Sequence, residues 1–520
     1  MHKGHLSAID AGFLYIETPE MPMHIGALYL LKPPAHGSEN YAAEYRAMIA
    51  ARMHTAPLFT HKLAAMPFDL ANPVWIEDDD VDLDYHIRQV TLTKPGTMDQ
   101  LEKLVGRLHS SLLDRSRPLW EFFIIDGLEN GDLAFYSKVH HAALDGQAGM
   151  KLTLALLDAT VEPRDVGAPP PRVRSRNYQL GIGEMLWSAT TNALSQYVKL
   201  ARVAPKVVKS AIDTYRAKDA DGKWGLAKFK GAFALAPRTH FNVTITNQRS
   251  FAAKSLPIAE VKAAGKAVGA TVNDTVMALC SGALMRYLAD YGETPEKSLI
   301  AAVPMSMRPE GDASQNNQVT MLPVSLHSDI KDPVKRLAAI RKSAGRMKDL
   351  GGKMKGLGSL DAPSIGTPWL MTGLVSLYGR SHLADNLPPI ANVAISNVPG
   401  PNYPLYMTRA MLRSMYPVSI PAHGIGCNIT VQSYNGNLDF GITACRRAMP
   451  DVKKLANYLG DALEELKAAI AKAAAEAPPE APAKPPAKAE ARPAKAPKAA
   501  AAAKTGRRAP KGAAAPHLHS

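Results

Sequence analysis

Lys138-Val139-His140-His141-Ala142-Ala143-Leu144-Asp145-Gly146 runs from an apolar, aromatic-rich segment into a glycine, and its geometry organises the sequence around it. Residues 133–140, Leu-Ala-Phe-Tyr-Ser-Lys-Val-His, read as a strand. Successive strand side chains alternate between faces, so Leu133, Phe135, Ser137, Val139 and His141 share one face. Tyr136, Lys138 and His140 share the other. If strand geometry persists, the two histidines point apart and only one lines a given cavity. Residues 119–126, Leu-Trp-Glu-Phe-Phe-Ile-Ile-Asp, form the partner strand of an antiparallel hairpin turned at Asn130-Gly131-Asp132. Gly146 permits a sharp reversal, after which Lys151 to Leu157 reads as a helix. The histidine pair thus sits where a strand enters a turn, a place that often carries catalytic groups.

A second hairpin is written near the C-terminal end, where Asn428–Tyr434 and Leu438–Thr443 flank Asn435-Gly436. Ile182, Met185, Leu186, Ala189, Ala193, Tyr197, Leu200 and Ala204 trace a helical stripe, with Lys199 and Arg202 near its end. Asn273 is placed as the N-cap of a helix carrying Val276, Cys280, Leu284, Tyr287 and Leu288. Strands and helices mixed in both bodies predict an α/β fold with mixed, α+β-type sheets. The expected division is a first body over 1–160 and a linker over 161–239, opened by the Pro/Arg-rich break at Glu162–Arg176. A second body follows over 240–472, then a tail over 473–520.

The chain has 520 residues, 46% hydrophobic and 21% charged, enough to bury a sizeable core. Cys280, Cys427 and Cys445 are too few for a disulfide framework and lack metal-ligand spacing. No apolar run reaches the ~18 residues of a membrane-spanning helix. Asp10 and Glu17 interrupt the first apolar stretch, unlike a secretory signal. The expectation is a soluble protein of a reducing compartment. Of the net charge of +14, the tail supplies nine Lys or Arg against three Glu, leaving 52 basic and 44 acidic residues in the body. So mild a basicity predicts no nucleic-acid partner. The Ala/Pro/Lys tail has little to bury and is expected to be disordered.

Three chemistries fit the histidine pair. One imidazole could act as a general base on a hydroxyl or amine attacking an activated carbonyl. His141 and Asp145, four apart, could share a metal on a helix, although a third ligand is missing nearby and a strand through His141 spoils the geometry. Both histidines could instead be satisfied core residues. There is no Gly-x-Ser-x-Gly elbow and no phosphate-binding GxxxxGK[ST] loop.

His-His-x-x-x-Asp-Gly at 140–146, preceded by Pro118-Leu119-Trp120-Glu121, resembles the bacterial wax ester synthase/diacylglycerol acyltransferases. So do Leu6-Ser7-Ala8-Ile9-Asp10, Pro22-Met23-His24-Ile25-Gly26 and Asn273-Asp274. Pro304-Met305-Ser306-Met307-Arg308, Asn317-Gln318 and Ser396-Asn397-Val398-Pro399-Gly400-Pro401 follow in the family's order. Asn428-Ile429-Thr430-Val431 and Ser433-Tyr434-Asn435-Gly436 close the set, which leaves the tail uncovered. The resemblance implies two chloramphenicol-acetyltransferase-like halves with a tunnel between them. Acyl-coenzyme A would be the donor, with diacylglycerol or a fatty alcohol as acceptor, and no metal or other cofactor.

By the same resemblance His141 is the base, with His140, Asp145 and Gly146 completing the motif. Asn273, beside Asp274, is a candidate oxyanion donor or acceptor-positioning group, and Arg308 a partner for Asp145. A carrier-bound acyl donor is the alternative within the same fold. A non-enzymatic lipid-body coat is a third reading that leaves the motif set unexplained. Because such substrates partition into lipid, the expected location is cytoplasmic, peripheral to the inner membrane face or lipid bodies. The segment from Ile182 to Tyr215, with Lys199, Arg202, Lys206 and Lys209 and a break at Pro205, is the proposed interfacial helix.

Overall fold

The computed structural model describes residues 6–34, 40–64, 72–144, 146–169, 235–306, 319–354, 373, 377–379 and 381–476. Residues 1–474 make one compact unit. Its first half runs α1 (Ala8–Ile16), β1 (His24–Lys32), α2 (Tyr41–Arg52), β2 (His61–Ala64), β3 (Val74–Glu77), α3 (Leu83–His86) and β4 (Ile87–Thr91). It continues through α4 (Met98–His109), β5 (Trp120–Asp126), β6 (Leu133–His140) and α5 (Gly146–Leu156). The second half begins with β7 (Arg249–Pro257), α6 (Ile258–Ala267), α7 (Val272–Asp290), β8 (Ile300–Ser306), β9 (Val319–Ser325) and α8 (Pro333–Met354). It ends with β10 (Val393–Val398), β11 (Tyr406–Met407), β12 (Ala410–Val418), β13 (Cys427–Tyr434), β14 (Asn437–Cys445) and α9 (Val452–Glu476).

Two six-stranded sheets result, ordered β11-β12-β1-β6-β5-β4 and β7-β14-β13-β10-β8-β9, with β2 and β3 as a separate pair. Both are mixed: β4 runs parallel to β5, and β10 runs parallel to β8 and β13. Both expected hairpins are present. β5 and β6 pair from Trp120↔Val139 to Ile125↔Ala134. Between β13 and β14, Asn435 and Gly436 take φ of 41° and 86°, the two left-handed residues a type I′ turn requires.

Apolar faces explain the layering. Phe122, Phe135 and Val139 meet Tyr45 and Ile49 of α2 and Leu152 and Leu156 of α5 on one face of the first sheet. Phe123 and Tyr136 meet Leu101 and Val105 of α4 on the other. The helix α7 buries Val276, Cys280, Leu284 and Leu288 against the second sheet, beside Leu455 and Leu459 of α9. The two halves are stitched directly. Glu102 of α4 accepts the Ala253 N–H of edge strand β7 at 2.9 Å and the Lys453 ammonium at 2.6 Å.

The chain does not lay down its sheets as two separate lengths. After β10 it crosses back, and β12 joins the first sheet beside β1, paired from Gly26↔Val418 to Lys32↔Met411. Asp158 and Tyr406 exchange backbone hydrogen bonds at the start of this crossing. From the second sheet, Asp439 accepts the Met415 N–H at 2.8 Å and the Ser255 hydroxyl at 2.6 Å. Burial pushes the Asp439 carboxyl up to about 6. A division at 160 and 240 follows the chain's course, but residues 406–418 build the other half's sheet.

Several local expectations change. Asn273 is not the N-cap of α7. Thr271 is, in a capping box with Asp274, and Asn273 lies in the first turn. The strand stops at His140, so His141 does not continue its alternation; it opens a 3-10 turn over His141–Ala143. This turn makes the reversal, and α5 already starts at Gly146 rather than Lys151. α9 carries order to Glu476, past the expected start of the tail at Ala473. The stripe over 182–204 lies outside the described residues.

Gly441 marks where the crossing strand and the second sheet touch. A Cβ there would stand 1.7 Å from the Pro417 carbonyl oxygen of β12, which is backbone and cannot swing aside. Gly441→Val should therefore cost at least the ~1–3 kcal/mol of ordinary overpacking. A thermal melt of the variant should show a clear fall in Tm; an unchanged Tm would mean the two sheets are not locked there.

Candidate active site

β6 lies between β1 and β5, and its last residue, His140, stands opposite His24. His140 is fully buried. Its Nδ1 accepts the Ala142 N–H at 3.1 Å, so the proton of the neutral ring belongs on Nε2. Nε2 lies 3.3 Å from Glu17 Oε1 in a close, imperfectly aligned contact. Nδ1 is thus hydrogen-bonded, while Nε2 rests against the carboxylate without a well-formed hydrogen bond.

His141 is placed differently. Its backbone N–H donates to the Met23 carbonyl at 2.8 Å, and its carbonyl accepts the Leu144 N–H at 3.2 Å. Its ring stacks on Phe13 of α1, with centroids 3.9 Å apart and planes 16° from parallel. Nδ1 is buried and meets only the residue's own backbone. Burial pulls the imidazole pKa down to about 4; the contact with its own backbone opposes this, and neighbouring His140 adds to it. His141 is half-buried and its ring is neutral near pH 7, with no partner for Nε2 among the described residues.

Glu17 ties the two histidines together, and the sequence motifs did not single it out as a site residue. It follows the last turn of α1 with its carboxylate 3% exposed. Oε1 accepts the Met23 N–H at 2.9 Å, and Oε2 takes Arg115 at 2.7 and 3.1 Å. Burial alone would raise its pKa; the His140 contact, Arg115 and the Met23 N–H outweigh it and hold the carboxyl at about 2. One residue, Met23, therefore gives its N–H to Glu17 and its carbonyl to His141. Phe13 and Glu17 could have been suspected only from their nearness to the Pro22–Gly26 motif.

Beneath the pair lies a buried polar layer. His24 Nε2 meets the His109 carbonyl at 2.7 Å, and His109 Nδ1 meets the Tyr136 hydroxyl at 2.7 Å. Lys138, with no exposed side-chain surface, is paired with Glu121 at 3.2 Å, which also takes Arg88. Burial, with the charge of Arg249 next, pushes His109 down to about 3. Burial, followed by the charges of His109 and Lys138, pushes His24 well below the usual range.

The structure brings together His140 and His141, with Gly146 opening the next helix. Asp145 and Arg308 lie outside the described residues. Asp274 is occupied at the head of α7, where Oδ2 accepts the Thr271 N–H at 2.9 Å and hydroxyl at 2.7 Å. Asn273 is half-buried beside it, and no hydrogen bond or ring contact joins it to either histidine among the described residues.

A two-lobed mixed α/β fold with two histidines at a strand end does not by itself name an activity. Comparison with known proteins narrows this. The chain belongs to the wax ester synthase/diacylglycerol acyltransferase family, matching its catalytic domain over residues 6–276 and its C-terminal domain over 315–467. A probable diacylglycerol O-acyltransferase of Mycobacterium tuberculosis is 36% identical over 465 residues, covering 89% of this chain and 98% of that protein. A putative diacylglycerol O-acyltransferase of the same species is 37% identical over 475 residues, covering 89% and 100%. The solved wax ester synthase/diacylglycerol acyltransferase of Marinobacter aquaeolei VT8 superposes with a TM-score of 0.63 at 30% identity, covering 90% of this chain and 100% of that one. A condensation domain of the calcium-dependent antibiotic synthetase shares the fold, with a TM-score of 0.53 at 14% identity.

Two measurements test this electrostatic picture. His109 has a native pKa of about 3 against 6.5 unfolded, so in that window the unfolded chain holds the extra proton. The stabilisation is complete above pH 6.5 and is lost as pH falls towards 3; Tm should drop steadily across that range, less steeply in His109→Gln. Glu17→Ala would strand His140 and the Met23 N–H in the interior, a loss on the order of 3 kcal/mol. Arg115→Ala should cost less because that side chain is 44% exposed and water can replace it. Equal losses in chemical denaturation would contradict the buried role of the carboxylate.

Proposed function

We propose that this chain transfers a fatty acyl group from acyl-coenzyme A to diacylglycerol, forming triacylglycerol, and to long-chain alcohols, forming wax esters. The observation that carries the chemistry is the division of labour between the histidines. His140 has Nδ1 hydrogen-bonded and Nε2 set against Glu17, whereas His141 is neutral and takes no partner on Nε2 among the described residues. Family membership supports the choice of substrates.

In this reading His141 Nε2 takes the proton of the acceptor hydroxyl as its oxygen attacks the thioester carbonyl carbon. The new C–O bond gives a tetrahedral oxyanion. Its collapse breaks the C–S bond, and the imidazolium returns the proton to the departing thiolate. A thioester is activated already, so no acyl-enzyme is needed. Burial keeps the base unprotonated, and negative charge developing on substrate raises its proton affinity as the reaction proceeds. Asn273, half-buried in the first turn of α7, is the candidate donor to the oxyanion or the acceptor, aided by the positive end of that helix. Asp145 and Arg308 are assigned to bracing the motif loop.

The reading also places the enzyme peripherally at a lipid surface, where diacylglycerol and its product reside. Among the described residues no single helix is long and apolar enough to cross a membrane. The interfacial segment assigned from sequence, 182–215, lies outside the described residues.

Product analysis with purified protein, labelled acyl-coenzyme A and either acceptor tests the reaction. Free coenzyme A should appear with ester only when an acceptor is present; release without acceptor would make it a thioesterase. His141→Ala should lower turnover by roughly 10²–10⁴-fold, the usual weight of a general base. His140→Ala should act through stability and alignment, with a smaller loss in the folded fraction. The kcat/KM profile should stay flat from pH 7 to 5, because His141 gains its proton only near 4. An acidic limb at 6.5 would show that the working imidazole is not the buried one.

A further inference from the structure

Beside Glu17 opens a cleft of about 550 Å³ that the catalytic argument leaves unused. Its walls are the turn after α1, ending at Glu20, and the segment leading into β7 at Thr244–Thr246, with His382, His423 and Arg447 around it. The size suits a ligand's head group rather than a single ion.

Two arginines, one on the wall and one beneath it, bring positive charge to a cleft whose lining also holds Glu17 and Glu20. Arg249, 4% exposed, donates to the Glu20 carbonyl at 2.7 Å and to the Thr246 carbonyl, joining the two walls from beneath. All its partners are carbonyls; no carboxylate neutralises it among the described residues. Burial lowers its pKa only to about 10, so the guanidinium stays charged. Arg447, exposed on the wall, likewise has no ion pair among the described residues. His423 accepts the Ile245 N–H on Nδ1 at 3.3 Å, which leaves Nε2 as a donor. The nearby acids are mostly spent. Glu17 is held by Arg115 and Met23, and Asp385 by His382 at 2.9 Å and the Thr244 N–H at 2.6 Å. Glu20 remains as a carboxylate at the rim.

Of the two substrates in the proposed reaction, the acceptor is apolar apart from its hydroxyl and ester groups. Only the donor carries multiple phosphates, and a guanidinium is well shaped to take them. We propose that this cleft receives the phosphate-bearing head of coenzyme A, with Arg447 as its direct contact, Arg249 supplying the field and His423 a hydrogen bond. The assignment rests on acyl-coenzyme A being the donor. It places donor entry on the Glu17 side of the histidine pair, so that the carboxylate bracing His140 also borders the donor's path.

Calorimetric titration of the full-length protein with free coenzyme A tests the site without requiring turnover. Arg447→Glu should weaken binding about tenfold, Arg447→Lys much less, and the difference should shrink between 50 mM and 500 mM salt. In turnover, Arg447→Glu should lower kcat/KM for acyl-coenzyme A about tenfold more than for the phosphate-free N-acetylcysteamine thioester of the same acyl group. Unchanged coenzyme A affinity overturns the proposal, as does an effect confined to the KM of the acceptor. Binding that follows the prediction while no acyl transfer is found would instead remove the proposed reaction and leave the site standing.

Discussion

Glu17 is a carboxylate placed where water barely reaches it, at the end of the first helix, and three groups converge on it: the Met23 N–H, Arg115 and His140. A buried charge is tolerable only when its lone pairs are filled, and here they are. Because Met23 passes the constraint on through its carbonyl to the His141 N–H, one ionised group sets the position of both histidines. The N-terminal segment before β1 is thereby part of the site, although it is far from the histidine motif in sequence.

The same burial sorts the imidazoles by chemistry. Two adjacent residues of one type have opposite fates because a strand ends between them. His140 keeps the strand's geometry and stands opposite His24, which is linked through His109 to Tyr136. His141 enters a tight turn and lies against Phe13, and no described residue takes its Nε2. Burial holds its ring neutral. In a catalytic triad a carboxylate bonds the histidine directly; here Glu17 contacts His140 and reaches His141 through Met23.

The return of β12 to the first sheet makes the two halves one structure. Hydrogen bonds from Met415 to Asp439, and from the Tyr434 hydroxyl to the Leu412 carbonyl, fasten the crossing strand to the sheet it left. The close pass over Gly441 leaves no room for a side chain. Glu102 of α4, completing the edge of β7, adds a second tie. Such interlocking fixes the loops of one half against those of the other, and the basic cleft is assembled from both.

Much of the local structure could be read from residue order alone. Alternation and turn chemistry suffice for the hairpins at Asn130-Gly131 and Asn435-Gly436, because a hairpin's partners are neighbours in sequence. The ordered motifs around His140-His141 suffice to place the chain in its family. Where two local rules competed, sequence reasoning failed: Thr271 rather than Asn273 caps α7, since Thr271 and Asp274 satisfy one another reciprocally. It also carried strand alternation one residue too far, to His141, because nothing local announces that the Met23 carbonyl will draw that N–H aside. What the sequence by itself determined is the two hairpins, the mixed α/β class and the family. Tertiary structure alone decided the exchange of β12, the commitment of His140, the neutrality of His141 and the role of Glu17. Each depends on contacts between segments tens to hundreds of residues apart, and on removal of charge from water, which no stretch of sequence encodes locally.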